Sequence, residues 1–260
     1  MQNSNKLSII IVNYHSEKYL DKCLSSIYGV WGQDLEIIIV NNDIAESLQN
    51  IIEKFPAVKI IQQKENVGFG RAHNAGAQIT KGKYLLFLNP DTIIVNDATD
   101  ILNKFEQDNS VGIIGAKLVN SEGKNQSWSV GYEATLWNIL KNKLGFPESR
   151  RIWESAQTQE VEWTSGGSMF IRKEIFAEVG GFDEKFFLYF EDMDLCKRVC
   201  KIGKKVLYFP SVRIEHIEGG SVENKNKQKK DYYASQDYYF SKHFGLIQSV
   251  LIRLLRKLFV

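Results

Sequence analysis

The chain has 260 residues, 43% hydrophobic and 25% charged, with a net charge of +2 at neutral pH. That length holds one large α/β domain or one domain with a tail, the composition is that of a globular protein, and a charge this small gives no case for a nucleic-acid partner. Three cysteines, Cys23, Cys196 and Cys200, form no even disulfide framework and suit a reducing, cytosolic compartment.

The start, Met1 to Lys6, is polar and carries no signal-peptide pattern, and no segment reaches the ~20 apolar residues that span a bilayer. Leu7 to Val12 is a short apolar run rich in β-branched residues and predicts a strand. Similar runs follow at Leu35 to Val40, Val58 to Ile61, Tyr84 to Leu88 and Val111 to Ala116. Helical patterns lie between them, over Ser16 to Tyr28, Ala45 to Phe55, Gly70 to Thr80 and Asp97 to Gln107. Strand–helix alternation with strands apolar on both faces predicts a wound, mostly parallel sheet flanked by helices.

The second half is less regular. Asn120 to Glu160 is long and polar, with a helix expected around Glu133 to Lys143, and resembles a lid or binding loop. Val161 to Arg172 returns to strand character around Gly166 and Gly167. Glu191 to Ile202 predicts a helix, where Cys196 and Cys200 are i and i+4 and read as two buried thiols rather than metal ligands. Lys205 to Phe209 predicts a strand, Val212 to His216 a second, and Val222 to Lys230 a mobile charged loop.

In wound sheets, ligands bind beyond the carboxyl ends of the strands. Three such ends here carry Asn13-Tyr14-His15, Asn41-Asn42-Asp43 and Asn89-Pro90-Asp91. Helix capping explains any one of them; three together point to a binding edge. Asp91, on a proline-fixed turn, suits a hard divalent ion that is completed by phosphate oxygens and water. Gly68 to His73 comes close to a dinucleotide fingerprint, but it follows the third strand and lacks the last glycine. Gly68 can still allow close backbone approach, and Arg71 and Asn74 share a helical face able to reach a phosphate or sugar. Glu191-Asp192-Met193-Asp194 abuts the apolar run Phe186 to Phe190, surroundings that can desolvate a carboxylate and make it a better base. His216 ends a strand and could complete a metal site with Asp91.

As an ordered set these segments resemble the family 2 glycosyltransferases, which have the GT-A fold. The resemblance covers Leu7 to Ser221 and rests on Ser8 to Tyr14, Ile37 to Asp43, Glu65 to Gly76, Tyr84 to Thr92, Ser165 to Val199 and His216 to Ser221. It favours the rhamnosyltransferase-like branch of bacterial polysaccharide synthesis. It implies an inverting transferase that uses a nucleotide-sugar donor, with dTDP-L-rhamnose favoured over UDP-hexoses. A glycan or polyprenyl-linked saccharide would be the acceptor, and Mn²⁺ or Mg²⁺ the cofactor. By resemblance, Tyr14 and Asp43 contact the base with Asn13 and Asn42 beside them, and Gly68, Arg71 and Asn74 line the donor pocket. Asn89 and Asp91 occupy the family's Asp-x-Asp motif, with Asn89 a departure that removes one charge. His216 would be a further metal contact. Asp192, in the Glu191-Asp192 pair, is the implied base, and Trp163, Gly166 and Gly167 would border the acceptor and donor sugar. A catalytically inactive sugar-nucleotide-binding or scaffold protein stays open beside this. A nucleotidylyltransferase is disfavoured because Asn13 to Glu17 is not Gly-rich.

The resemblance divides the chain into a catalytic domain over 1–221, with a nucleotide-binding half over 1–118 and an acceptor and catalytic half over 119–221. Residues 222–260 would form a basic loop and terminal helices. Leu246 to Val260 is a basic amphipathic segment suited to a membrane surface, with Ser249, Arg253, Arg256 and Lys257 on one face. That predicts a peripheral protein on the inner face of the plasma membrane. The alternative is docking of this segment on the domain or on a partner subunit, as in a homodimer.

Overall fold

A computed structural model describes residues 6–217 and 225–258. Glu218 to Ser221, Val222 to Asn224 and the last two residues of the amphipathic segment therefore lie outside the described residues.

The first half alternates as expected: β1 (Leu7–Asn13), α1 (Glu17–Trp31), β2 (Glu36–Asn41), α2 (Gln49–Lys54), β3 (Lys59–Gln62), α3 (Phe69–Gln78) and β4 (Tyr84–Leu88). β5 (Thr92–Ile94), α4 (Thr99–Gln107) and β6 (Val111–Val119) follow. Helix α2 starts later than Ala45 because local side chains hold the chain in a turn. Asp43 Oδ1 accepts from the Ala45 amide at 2.8 Å, and Asn41 Nδ2 donates to the Glu46 carbonyl at 3.0 Å. The three-residue β5 was not legible in the sequence.

The irregular stretch contains β7 (Val130–Gly131), α5 (Leu136–Lys143) and α6 (Arg150–Glu154). The predicted run from Val161 to Arg172 is broken into β8 (Gln159–Val161), β9 (Trp163–Thr164) and β10 (Ser168–Arg172). The short α7 (Lys173–Glu178) and α8 (Glu191–Lys201) come next. The two strands expected over 205–216 are one strand, β11 (Lys205–His216), whose register with β6 shifts between Phe209 and Arg213, around Pro210. Cys196 is buried, but Cys200 is exposed, which corrects the expectation of two buried thiols.

The main sheet has the order β3-β2-β1-β4-β10-β6-β11-β5, with β8 also on β11. β3, β2, β1, β4, β6 and β11 run one way; β10, β5 and β8 run the other. The two sequence halves thus share one sheet. Along β1 the faces alternate. Leu7, Ile9 and Ile11 pack with α1 and α4 side chains such as Leu24 and Phe105, and Ile10 and Val12 pack with Ala72, Phe176 and Leu195 from the opposite helices. Burial on both faces contributes roughly 1.5–3 kcal/mol per large aliphatic residue and makes this strand the rigid base of the site.

The last element, α9 (Lys225–Leu258), is kinked at Gly245, with φ 82°. Lys225 to Lys230 are helical, which corrects the expected loop. Beyond the kink the chain folds back on the first arm. Arg253 Nε lies 3.1 Å and Arg256 2.6 Å from the Asp237 carboxylate, and Ser249 and Ile252 are buried. Two of the cations expected to face a membrane are therefore paired with the first arm, Arg256 largely covered and Arg253 still exposed. Beside Arg253, the exposed surface of this arm is mostly apolar: Leu246, Ile247, Val250, Leu251 and Leu254.

Candidate active site

The carboxyl ends of β1, β2, β4 and β11 lie along one edge of the sheet. The antiparallel β10 begins at that edge, with Ser168 opposite Leu88, so the turn 165–167 lies beside Asn89. The Asn89 amide donates to the Gly167 carbonyl at 3.1 Å.

At the ends of β1 and β2, Asn13 is fully buried and donates to Asn41 Oδ1 and Glu46 Oε2, both at 2.9 Å. Tyr14 lies half-buried against His15. Asp43 is buried, and its Oδ2 is 2.6 Å from His15 Nδ1. His15, Asp43 and Glu46 place donor atoms within 4.8 Å of one another, a metal-capable set that sequence reasoning missed. Its members already contact each other or Asn13, so the set is internally paired.

Three predicted donor residues hold neighbouring backbone in this structure. Asn42 donates to Asn66 and to the Gly68 carbonyl and accepts from the Val67 amide. Asn74 brackets Phe182, donating to its carbonyl and accepting from its amide, each at 2.9 Å. Gly68 has φ 87°, and a Cβ there would lie 2.4 Å from the Phe187 carbonyl oxygen. The close approach that demands glycine is therefore made by the protein's own backbone. Arg71 is exposed, 3.4 Å from Glu184.

Asn89, Asp91 and His216 come together. His216 Nε2 is 3.2 Å from Asp91 Oδ1 and 3.2 Å from Asn89 Nδ2. The other ring nitrogen, Nδ1, is 2.9 Å from Gln126 Oε1. An amide oxygen there holds the proton on Nδ1 and leaves the Nε2 lone pair facing a carboxylate oxygen. A carboxylate oxygen and an imidazole nitrogen so placed are two ligand atoms that one metal ion could share. Carboxylate and imidazole suit Mn²⁺ or Mg²⁺, with the remaining positions left to water and phosphate oxygens, so the residues present fit the ion. A half-turn of the Asn89 amide presents an oxygen in place of its nitrogen. Gln126 lies 90 positions from His216 in the chain, and no sequence signal marked it.

On the other side of the glycines, Asp192 Oδ2 accepts from the Gly166 amide at 3.3 Å and Oδ1 from the Met193 amide at 2.7 Å. A Cβ at Gly167 would meet Asn89 Nδ2 at 3.0 Å, and one at Gly166 would meet the Phe69 ring at 2.8 Å and Asp192 Cβ at 3.9 Å. This two-glycine turn thus links the Asn89 and Asp192 sides without space for side chains. Desolvation raises Asp192 from 3.8 to about 6, against the two amide bonds that lower it. Glu191 is more deeply buried, with one carboxylate oxygen unpartnered, and burial followed by the Asp192 charge pushes it well above its ordinary value. Both carboxyls of this adjacent pair are thus raised and titrate together, with Glu191 the more deeply buried of the two. Trp163 is buried, its Nε1 donating to the Tyr132 carbonyl at 3.0 Å.

The segment before these acids is held by α9. Tyr189 and Phe190 have φ 71° and 65°, strained for large residues. Ser235 Oγ donates to the Leu188 carbonyl at 2.7 Å, Gln228 to the Tyr189 hydroxyl at 2.6 Å, and Phe190 packs on Tyr232 and Tyr239. The apolar run thus packs largely on α9. Asp194 is fully buried and meets Arg198 at 2.8 Å, Lys242 at 2.5 Å and His243 at 2.7 Å. Burial would push its carboxyl up, but the His243 hydrogen bond, the Arg198 charge and Lys242 hold it at about 2.

Comparison with known proteins bears out the fold and the family. The sequence profile of glycosyl transferase family 2 matches residues 8–180, and that of the N-terminal domain of galactosyltransferase matches 154–219. The N-acetylglucosaminyl-diphospho-decaprenol L-rhamnosyltransferase of Mycobacterium tuberculosis is 25% identical over 236 residues, covering 83% of this chain and 77% of the relative. The rhamnosyltransferase WbbL of Escherichia coli is 29% identical over 218 residues, covering 80% and 82%. Among solved structures, GalNAc-T7 with UDP, GalNAc and Mn²⁺ matches at TM-score 0.66 and 17% identity, over 93% of this chain and 51% of that one. The Pyrobaculum calidifontis mannosyltransferase PcManGT with GDP-Man and Mn²⁺ matches at TM-score 0.66 and 15% identity, over 92% and 64%. These likenesses establish the GT-A fold. With the family 2 profile matching well over half of its length, the chain belongs to glycosyl transferase family 2.

Proposed function

We propose that this enzyme transfers a sugar, with inversion, from a nucleoside-diphosphate donor to a hydroxyl of a glycan or lipid-linked saccharide in cell-surface polysaccharide synthesis. Its rhamnosyltransferase relatives favour dTDP-L-rhamnose as donor. The observation that carries the reading is the pairing of Asn89, Asp91 and His216 with Asp192 across the Gly166–Gly167 turn. Asp91 and His216 would hold Mn²⁺ or Mg²⁺, which neutralises charge on the leaving diphosphate. Asp192 takes the proton from the acceptor hydroxyl as that oxygen attacks the anomeric carbon, and the sugar–phosphate bond breaks on the opposite face. Glu191 is the more deeply buried of the pair, which leaves that task to Asp192. Asp43, Tyr14 and Asn13 would receive the base, and Arg71 would reach the diphosphate.

Among the described residues no helix is long and apolar enough to cross a membrane. The apolar ridge of α9 would instead rest on the cytoplasmic membrane surface beside a polyprenyl-linked acceptor. The test is release of dTDP from dTDP-L-rhamnose, against UDP-hexose controls, with N-acetylglucosaminyl diphosphate on an alkyl chain and with or without Mn²⁺. Metal-dependent release that requires the acceptor supports the reading. Nucleotide binding without turnover for any donor would mark an inactive sugar-nucleotide-binding protein. Flotation with anionic liposomes that survives replacement of Leu246, Ile247, Leu251 and Leu254 by Ser would refute the membrane contact.

A further inference from the structure

A cleft of about 510 Å³ opens in the segment that follows β6, lined by Trp128, Trp153, Asn125, Asn142, Arg150 and Glu154. No residue assigned above to donor, metal or base lines it. Its size falls in the range of small-molecule sites. Its chemistry is mixed in one particular way: an aromatic face beside two amides, a guanidinium and a carboxylate. A pyranose matches that combination, with a C–H face for an aromatic ring and hydroxyls that both donate and accept at its edge.

Trp128 is built as a platform. The residue is 53% exposed, an unusual display for so large an apolar side chain. Its backbone has φ 62°, a left-handed conformation that is strained for a bulky residue, and such strain gathers at functional sites. The ring is braced edge-on by Trp153, with centroids 4.9 Å apart at 62°. Trp153 is buried and fixed by its Nε1 bond to the Val130 carbonyl at 2.6 Å.

Position ties the cleft to the reaction centre. Gln126, two residues before Trp128, contacts His216. Ser129, one residue after, accepts through its carbonyl from the Ser165 amide, next to Gly166. The platform is thus anchored at once to the Asn89–Asp91–His216 set and to the turn under Asp192. In the sheet order, β1 and β2 lie on one side of β4, while β6, which leads into the cleft, lies on the other. A donor at the ends of β1 and β2 and a second substrate at the cleft would therefore meet from opposite flanks. Trp163, expected at the acceptor, is buried and lines a separate cleft with Met193 and Lys197.

We propose that the Trp128 cleft is the acceptor subsite, in which the Trp128 indole stacks on a pyranose ring of the acceptor saccharide and Asn125, Asn142, Arg150 and Glu154 bind its hydroxyls. The assignment rests on the glycosyl-transfer reading above.

Two measurements test it, one of which needs no turnover. Saturation-transfer NMR and tryptophan-fluorescence titration use N-acetylglucosaminyl diphosphate on a short alkyl chain as probe. Wild type should bind it saturably, Trp128→Ala should weaken binding at least tenfold, and Trp128→Phe should fall between. Calorimetry with dTDP confirms that each variant is folded and binds nucleotide. In steady-state kinetics Trp128→Ala should raise the acceptor KM at least tenfold and change the donor KM less than twofold. Unchanged probe binding in Trp128→Ala overturns the assignment. So does loss of probe binding on Met193→Ala or Lys197→Ala with none on Trp128→Ala, which would move the acceptor to the other cleft. If wild type binds the probe through Trp128 and yet releases no nucleotide, the transferase reading fails while the saccharide subsite stands.

Discussion

Replacing Asp192 with Asn separates chemistry from stability. Desolvation raises the Asp192 carboxyl from 3.8 to about 6, roughly two units at ~1.4 kcal/mol each. Screening at this partly exposed group reduces that ~3 kcal/mol to about 1–2 kcal/mol. The sign follows from the raised value: the folded state binds the proton more tightly than the unfolded chain. The stability this brings is complete below about pH 4 and is lost as pH rises through about 6. At pH 7.5 ionised Asp192 therefore costs the fold about 1–2 kcal/mol. Asparagine removes that cost but gives up the 3.3 Å bond from the Gly166 amide, about 0.5–1 kcal/mol. The net expectation is a Tm unchanged or raised by up to ~4 °C at pH 7.5, with no gain at pH 4.5. Turnover should drop ~10²–10⁴-fold with nucleotide affinity preserved. The wild-type rate should rise with pH through about 6, and that limb should vanish in the variant. Nucleotide-release kinetics and thermal unfolding at both pH values measure this. Turnover within tenfold of wild type, or a Tm several degrees lower at pH 7.5, would refute the reasoning.

Glu191→Gln removes the buried neighbour's ionisable group and should keep turnover within about threefold, because Asp192 is the carboxylate that meets the acceptor; a loss as large as that of Asp192→Asn would move the base to Glu191. Gln126→Leu removes the group that orients His216 and should weaken Mn²⁺ binding ~10–100-fold by calorimetry in the presence of dTDP, and unchanged affinity would contradict the orienting role. Lys242→Met leaves Asp194 with Arg198 and His243 alone and should destabilise the fold by about 1–3 kcal/mol. It should also lower kcat several-fold at unchanged donor KM, with faster amide exchange over 183–194 and recovery in Lys242→Arg; equal kcat in Lys242→Met and wild type would show that α9 does not position the base.

The wound sheet, the polar strand ends and the acidic pair after the aromatic run were all legible in the sequence. Strand and helix periods are local, and an apolar run buried on both faces, such as Ile9 to Ile11, can form little other than a central strand. The family 2 motifs are contiguous stretches of chain, so they too could be read without a structure. What each polar side chain does at that edge was decided only by tertiary structure. Asn74 and Asn42 share strand-end and helix-face positions with Asn13 and Arg71, yet pairings 108 and 24 residues away hold them to backbone and to Asn66. The Gln126–His216 contact and the Asp194–Lys242–His243 cluster join segments far apart in the chain, and no periodicity encodes them. The C-terminal segment makes the same point physically. Its sequence determined an amphipathic helix, but the kink at Gly245 and the charge of Asp237 decided that Arg253 and Arg256 pair with the first arm while Leu246, Leu251 and Leu254 face outward.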